Sequence, residues 1–519
     1  MPGQDARDGS SLSTSLRPAA TFERRLIELA NRLGVPAPAT DWPVTGVTHD
    51  SAAVRAGDLY AALPGSHTHG ARFSADAVAA GAVGVLTDET GRTLSSGVEA
   101  PLLVVDNPRE RLGDICSWIY GEPSTRMRVL GVTGTNGKTT TSYLLDAGLR
   151  AAGETTGLIG TIETRVGDIA LPSARTTPEA PDLQALLAVM AERGVGSVSM
   201  EVSSHALALN RVDGTAFDVV AFSNLSQDHL DFHVNLDDYF AAKARLFTPE
   251  FAPRGVVNID DEYGRRLSHI APIPVTTVST ITRDAEWWAS DVSAQPRGSR
   301  FVVHGPGVEI ALAVRLAGGF NVANALLAFV TLVQAGVDPG AAAAGIAEVS
   351  VVPGRMEAVS VGQPFVALVD YAHTPEAVVT LLTTLRATTT GRLIVVLGCG
   401  GDRDRVKRPL MGAAAARLAD VAVLTSDNPR SEEPAQILVA VLEGAMGVPA
   451  AQRGEVVVEL DRRTAISIAV GRARAGDVVV VAGKGHEQGQ EVGGVVHPFD
   501  DRAVLRDEVA ALARTTGAS

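Results

Sequence analysis

Arg128-Val-Leu-Gly-Val-Thr-Gly-Thr-Asn-Gly-Lys-Thr-Thr-Thr141 is the stretch whose reading decides the fold. Val129-Leu-Gly-Val132 reads as a buried strand, Gly134 and Gly137 bracket a tight loop, and Lys138-Thr139 opens a helical stretch from Thr140 to Leu149. Strand, glycine loop, Lys-Thr and helix together make a phosphate cradle. Backbone N–H groups and the helix N-terminus face the anion, the lysine reaches the outer phosphates, and a hydroxyl meets Mg²⁺. Thr139 is the candidate hydroxyl. The general pattern has glycine where Val132 stands, so the strict motif fails at that one position. A glycine turn that binds nothing is the alternative, and the correctly placed strand and helix argue against it.

Working outward, 519 residues correspond to about three domains of ordinary size. Fifty-two glycines and few aromatics suit an α/β chain with many strand-to-helix turns. The formal charge of −14 argues against nucleic acid or an anionic membrane as partner. Cys116 and Cys399 are too far apart in sequence to suggest a disulfide framework, which suits a reducing compartment. No leader pattern or apolar run of membrane length is present, so a cytoplasmic protein without membrane insertion is expected. Of 45 Lys+Arg only Lys138, Lys243, Lys407 and Lys484 are lysines. Sites that keep an amine are candidates for chemistry a guanidinium cannot do, with chance as the alternative.

Residues 1–20 read as a disordered polar tail, 21–124 as a small α/β domain, 125–353 as a central domain and 354–519 as a third. In the first, strand-like runs Val44–Thr48 and Asp58–Leu63 precede polar loops holding His49, Ser51, Ser66, His67 and Thr68. Two loop histidines with no nearby Cys or carboxylate cluster read as hydrogen-bonding groups rather than metal ligands. In the second, the strand Val195–Met200 ends in Glu201-Val-Ser-Ser-His205. A carboxylate at a strand end beside a phosphate loop is where a magnesium-binding acid belongs. The strand Phe217–Phe222 runs into a polar loop containing Asp228-His-Leu-Asp-Phe-His233, where a capped helix start is the alternative. Lys243 sits in a helical run, and Asn321 can cap the helix Val322–Ala335.

The third domain repeats one theme. Val366–Val369, Leu393–Leu397, Val421–Thr425 and Val478–Val481 are apolar strands, each ending in a glycine- or charge-rich loop. That is a doubly wound sheet with a ligand crevice outside its carboxyl ends. Arg403, Asp427, Arg430 and Glu487 at neighbouring strand ends suit a zwitterion.

Taken together, Gly134-Thr-Asn-Gly-Lys-Thr-Thr140, Glu201-Val-Ser-Ser-His205, Asp228-His-Leu-Asp-Phe-His233, Gly354-Arg-Met-Glu357, Asp370-Tyr-Ala-His-Thr-Pro375 and Gly483-Lys-Gly-His-Glu487 resemble the Mur ligases of bacterial peptidoglycan synthesis, and among them the diaminopimelate-adding type. The resemblance covers almost the whole chain from about residue 40. It implies three α/β domains: an N-terminal domain for the UDP part, a central P-loop-type ATPase domain, and a C-terminal Rossmann-like domain for the amino acid.

Carried over residue by residue, it implies that ATP is held by Gly134, Thr135, Asn136, Gly137, Lys138, Thr139 and Thr140, with Asn321, Arg355, Asp370 and His373 at the domain junction. Thr139, Glu201, His229 and a carbamylated Lys243 are implied around magnesium, with two Mg²⁺ sites. Lys138, Lys243, His229 and Glu201 become the catalytic set. His49, Ser51, Ser66, His67, Thr68, Thr176, Thr177, Ser203 and Arg211 match positions for UDP-N-acetylmuramoyl-L-Ala-D-Glu. Arg403, Asp427, Asn428, Pro429, Arg430, Gly483 and Glu487 match those for meso-diaminopimelate. Leu209 stands where relatives carry a polar contact. The implied reaction is ATP-dependent amide formation through an acyl phosphate, by a monomer. The alternatives are a lysine-adding or folylpolyglutamate-type ligase and, outside enzymes, a P-loop switch that senses wall precursors.

Overall fold

The computed structural model describes residues 17–65, 67–295 and 298–517. Three α/β units follow one another along the chain, each built on its own sheet.

The first sheet has four parallel strands in chain order, Gly46–Thr48, Asp58–Ala61, Gly84–Thr87 and Leu102–Val104. The expected tail falls outside the described residues over 1–16. Residues 17–20 correct that expectation, because they are tied down. The Arg17 guanidinium makes paired 2.9 Å bonds to the Asp58 carboxylate, and the Ala19 and Ala20 N–H groups donate to Glu192.

The central sheet has eleven strands. Its middle is parallel: Val275–Ser279, Gly255–Asn258, Val219–Phe222, Arg128–Thr133, Ser197–Glu201 and Thr156–Ile159, in spatial order. The phosphate-loop strand therefore lies between the strands ending at Phe222 and at Glu201, so three polar loops leave one edge side by side. Alternate residues feed two cores. Val129, Val220 and Phe222 face the helices Ala180–Glu192 and Leu236–Ala244, while Leu130, Val132 and Ala221 face Lys138–Ala151 and Phe320–Gln334. A parallel sheet buried on both faces needs such continuous apolar runs. Sequence reading missed the antiparallel flanks, Glu163–Val166 with Ile169–Pro172 on one side and Trp287–Gln295, Gly298–Gly305 and Val308–Val314 on the other.

The third sheet runs Glu357–Ala358, Val366–Asp370, Val478–Ala482, Leu393–Cys399, Val421–Ser426, Glu455–Val458, parallel after the first pair. The last strand in sequence inserts second among the five parallel ones. Strand order switches there, which opens a crevice at the carboxyl ends. Helices cover both faces, with Val378, Met411 and Val441 on one and Ile466, Val470 and Leu505 on the other. Both cysteines are buried and free. No helix among the described residues is long and apolar enough to cross a membrane.

Candidate active site

The phosphate loop forms as its glycines require. Gly137 adopts φ 88° and leads into the helix Lys138–Ala151, and a Cβ there would lie 2.3 Å from Asn324 Oδ1. Only glycine takes that backbone without strain and that spacing without displacement. The loop faces a cavity of about 460 Å³. Thr135 through Thr140, Thr176, Glu201, Ser203, His229, Arg355, Asp370 and His373 all line it. Residues far apart in sequence thus meet where the central sheet abuts the third.

The contacts across that junction are specific. Thr139 Oγ1 donates to Glu201 Oε2 at 3.0 Å and accepts from Arg355 Nη2 at 3.0 Å. Thr161 completes the grip on Glu201 with its N–H (2.8 Å) and hydroxyl (3.0 Å). Thr177 Oγ1 donates to the Glu201 carbonyl at 2.8 Å, and Thr176 pairs with Thr161 at 3.0 Å. The Arg355 guanidinium stacks 4.3 Å from the Tyr371 ring centroid. Burial pushes the Asp370 carboxyl up, opposed by Arg355 and by N–H groups of Met356 and Ala372 at 2.8 Å.

Two amines converge on one oxygen. Lys138 Nζ and Lys243 Nζ both donate to the Gly134 carbonyl, at 3.0 and 2.7 Å. Lys243 is 1% exposed, lies over the Tyr239 ring, and has no carboxylate within ion-pair reach among the described residues. Burial, reinforced by the charge of Lys138, lowers its pKa well below the ordinary lysine value. Burial lowers Lys138 as well, against the pull of Glu201 and Asp228. The imidazoles are neutral for the same reason: burial brings His229 down to about 3, and His205 and His373 to about 4. Asp228 is buried beside His229 (3.4 Å), His373 (3.9 Å) and Lys407 (3.8 Å), which together hold it well below the carboxylate range despite its burial.

A second cavity, about 580 Å³, opens beside the first between the hairpin Glu163–Pro172 and the loop after Ala482. Thr161 lines both, and Asn428 and Glu487 line the second. Asn428 Nδ2 donates to Glu487 Oε2 at 2.7 Å. Gly483 has φ 117°, and a Cβ there would meet Asp427 Oδ2 at 2.6 Å. Arg430 takes φ 55° and donates to the Gly401 carbonyl at 2.6 Å, while the Pro429 carbonyl lies against Gly401. Arg403 is exposed and donates to the Asp402 carbonyl.

Other expected positions lie elsewhere. His49 and Ser51 follow the strand Gly46–Thr48, and His67 and Thr68 follow its parallel neighbour, so they share one sheet edge. His49 Nδ1 is buried without a hydrogen-bond partner among the described residues. Ser66 lies outside the described residues. Arg211 pairs with Glu179 at 2.9 Å, which also binds Arg109 and Arg175.

Asn321 corrects an expectation. It does not cap its helix, which starts at Phe320 with Gly319 before it. Asn321 is buried, donating to the Ala317 carbonyl and accepting from Asn324, and it is Asn324 that lines the cavity. The helix begins two residues earlier than expected, so residue 321 lies inside its first turn and packs inward while residue 324 reaches the cavity. Sequence reading also passed over Thr161, and it named Asp228 in its loop without giving it a place in the site. The polar end of the glycine-containing strand Thr156–Ile159 was the available signal for Thr161, and the mixed loop after Phe222 for Asp228.

Three family models match in succession: a Mur ligase family catalytic domain over 43–120, the Mur ligase middle domain over 132–332, and a Mur ligase glutamate ligase domain over 354–485. A protein of Streptomyces avermitilis called UDP-N-acetylmuramoyl-L-alanyl-D-glutamate–2,6-diaminopimelate ligase is 58% identical over 95% of this chain and 98% of its own length. The chain belongs to the Mur ligase family. This Mur ligase is also 49% identical to a protein of the same name from Corynebacterium glutamicum, over 91% of this chain and 93% of that one. It is 43% identical to a UDP-N-acetylmuramyl-tripeptide synthetase of Leifsonia xyli, over 95% and 98%. A solved structure of a UDP-N-acetylmuramoyl-L-alanyl-D-glutamate–2,6-diaminopimelate ligase aligns over 95% of this chain and 100% of that one, with TM-score 0.65 and 32% identity.

Proposed function

We propose that this Mur ligase adds meso-2,6-diaminopimelate to the D-Glu γ-carboxylate of UDP-N-acetylmuramoyl-L-Ala-D-Glu, turning ATP into ADP and phosphate, in cytoplasmic peptidoglycan precursor synthesis. The supporting observation is the junction itself. A phosphate loop, a gripped carboxylate and a third-domain arginine surround one cavity, and Asn428 of the Asp427-Asn-Pro-Arg430 loop lines the next, with Thr161 common to both.

In this reading the first unit holds the UDP end, the second ATP and the third the amino acid, with closure before chemistry. A carboxylate resists amines until it is phosphorylated. Its oxygen attacks the γ-phosphorus, ADP leaves, the amine attacks the acyl carbon, and phosphate departs. Lys138 offsets charge on the transferring group, and most of the acceleration is positioning. His229 and His373 stand at the cavity wall as neutral imidazoles, able to hydrogen-bond a ligand without adding charge; burial makes both weak bases.

The hard oxygens of Thr139 and Glu201 suit Mg²⁺, which when bound would neutralise phosphate oxygens. Lys243 fits a carbamate. Its amine is pushed toward the neutral form that adds CO₂ with loss of a proton, and the resulting anion would relieve two cations crowded on one carbonyl. It would also supply the oxygens for a second magnesium, which a guanidinium could not.

ADP release by the full chain with UDP-muramoyl-dipeptide, comparing diaminopimelate with L-lysine, tests the reading. Turnover with diaminopimelate is expected; turnover with lysine alone would favour the lysine-adding alternative. ATP hydrolysis that ignores both substrates would favour a switch. Arg430 is the guanidinium proposed for the carboxylate that lysine lacks.

A further inference from the structure

Lys484 has no role in the account above, yet it is 0% exposed, more deeply buried than Lys243 or Lys407. An ammonium withdrawn from water is costly unless its protons find partners. Lys484 Nζ donates to Asn428 Oδ1 at 2.8 Å and Glu487 Oε2 at 3.0 Å. Asn428 Oδ1 also accepts the Glu491 N–H at 3.0 Å, and Asn428 Nδ2 donates to the same Glu487 oxygen. The ammonium therefore dictates which way the Asn428 amide faces. An amide turned by 180° would set Nδ2 against Lys484 and cost Glu487 one of its two donors.

The charge matters as well. Burial pushes the Asp427 carboxyl up, but Lys484 and Arg462 bring it below its ordinary value. Asn428 and Glu487 line the second cavity; Lys484 stands behind them and does not.

We propose that Lys484 is a positioning residue for the amino-acid substrate: from behind the pocket it fixes the Asn428 amide and the Glu487 carboxylate and balances the acids facing the ligand. The inference rests on the ligase reading, with the second cavity as the amino-acid site. A ligand carrying two carboxylates enters such a pocket only if Glu487 on its wall and the buried Asp427 behind Asn428 are already compensated. Without Lys484 the pocket becomes more negative, which disfavours diaminopimelate relative to lysine.

The test uses full-length wild type, Lys484→Met and Lys484→Gln, with phosphate release measured while each substrate is varied in turn. Lys484→Met should raise KM for diaminopimelate at least tenfold, leave KM for ATP and for the UDP-dipeptide within twofold, and narrow the preference over L-lysine. Lys484→Gln keeps an N–H donor for Asn428 Oδ1 and should recover part of the loss, and it serves as the folded comparison if the Met variant melts early. An unchanged diaminopimelate KM, or an equal rise in all three KM values, overturns the proposal. A wild-type chain with no diaminopimelate turnover overturns the ligase reading and this proposal with it. A wild-type chain that turns over, paired with an unaffected Lys484→Met, overturns only the role of Lys484.

Discussion

Replacing Arg462 by Met should unfasten the third sheet at the edge that carries the loops proposed for the amino acid. Arg462 and Asp501 are both fully buried. The guanidinium makes two bonds to the Asp501 carboxylate, at 2.8 and 2.7 Å, and one each to the carbonyls of Ser426 (3.1 Å) and Ala482 (3.0 Å). Those carbonyls end the strands that lead into Asp427 and Gly483. Met fills much of the volume but strands a buried carboxylate and two carbonyls. Breaking one side of such a pair destabilises by about 3–5 kcal/mol.

At 1.4 kcal/mol per tenfold, amide exchange limited by opening of this sheet should accelerate by roughly two to three and a half decades. The four tryptophans, Trp42, Trp118, Trp287 and Trp288, all lie in the first two units, so fluorescence would not see the change. Hydrogen exchange read by mass spectrometry on peptides covering Val421–Ser426 and Val478–Ala482 would. Adding Asp501→Leu removes the stranded charge and should restore exchange to within about tenfold of wild type. Exchange in Arg462→Met within tenfold of wild type, or a double variant no slower than the single, would refute the reasoning.

Other outcomes follow from the site. Gly137→Ala forces a left-handed residue and a Cβ into Asn324, so KM for ATP should rise at least tenfold while the thermal midpoint falls only a few degrees. Lys243→Arg keeps the charge but cannot form a carbamate and should lose at least a hundredfold in kcat; Lys243→Ala should regain some activity with short carboxylic acids, and full activity in either would end the carbamate reading. Four imidazoles are held neutral by burial, His205 and His373 near 4, His229 and His486 near 3, against an ordinary 6.5. The unfolded chain therefore binds more protons between about pH 4 and 6.5. Their contribution to stability is complete above 6.5 and shrinks on acidification through that window. Asp228, shifted down, adds loss only below about 4. Urea midpoints measured from pH 7 to 4.5 should fall, and His205→Asn should flatten the fall; a flat wild-type profile would contradict the burial argument.

Much of this was legible in the chain. Continuous Val/Leu/Ile runs bounded by glycine announced strands buried on both faces, and the spacing from Gly134 to Lys138 announced a tight glycine loop between strand and helix, because local backbone geometry depends on neighbours in sequence. Scarce lysine was informative too: Lys243, Lys407 and Lys484 are all buried, and Lys138 lines the cavity at the Gly134–Thr140 loop. The antiparallel flanks escaped because polar and apolar residues mix along them where only one face is covered.

What only the folded chain decided is convergence. The 3.0 Å bond from Arg355 to Thr139 spans 216 positions, and Lys407 meets Asp228 across two units. Asn324 rather than Asn321 lines the cavity, because the helix starts two residues earlier than expected and Asn321 packs inward on the Ala317 carbonyl. Periodicity tells which side of its own strand or helix a residue takes. Which other element waits on that side depends on strand order and on how the units pack, and those are set by the burial of whole faces rather than by any local stretch.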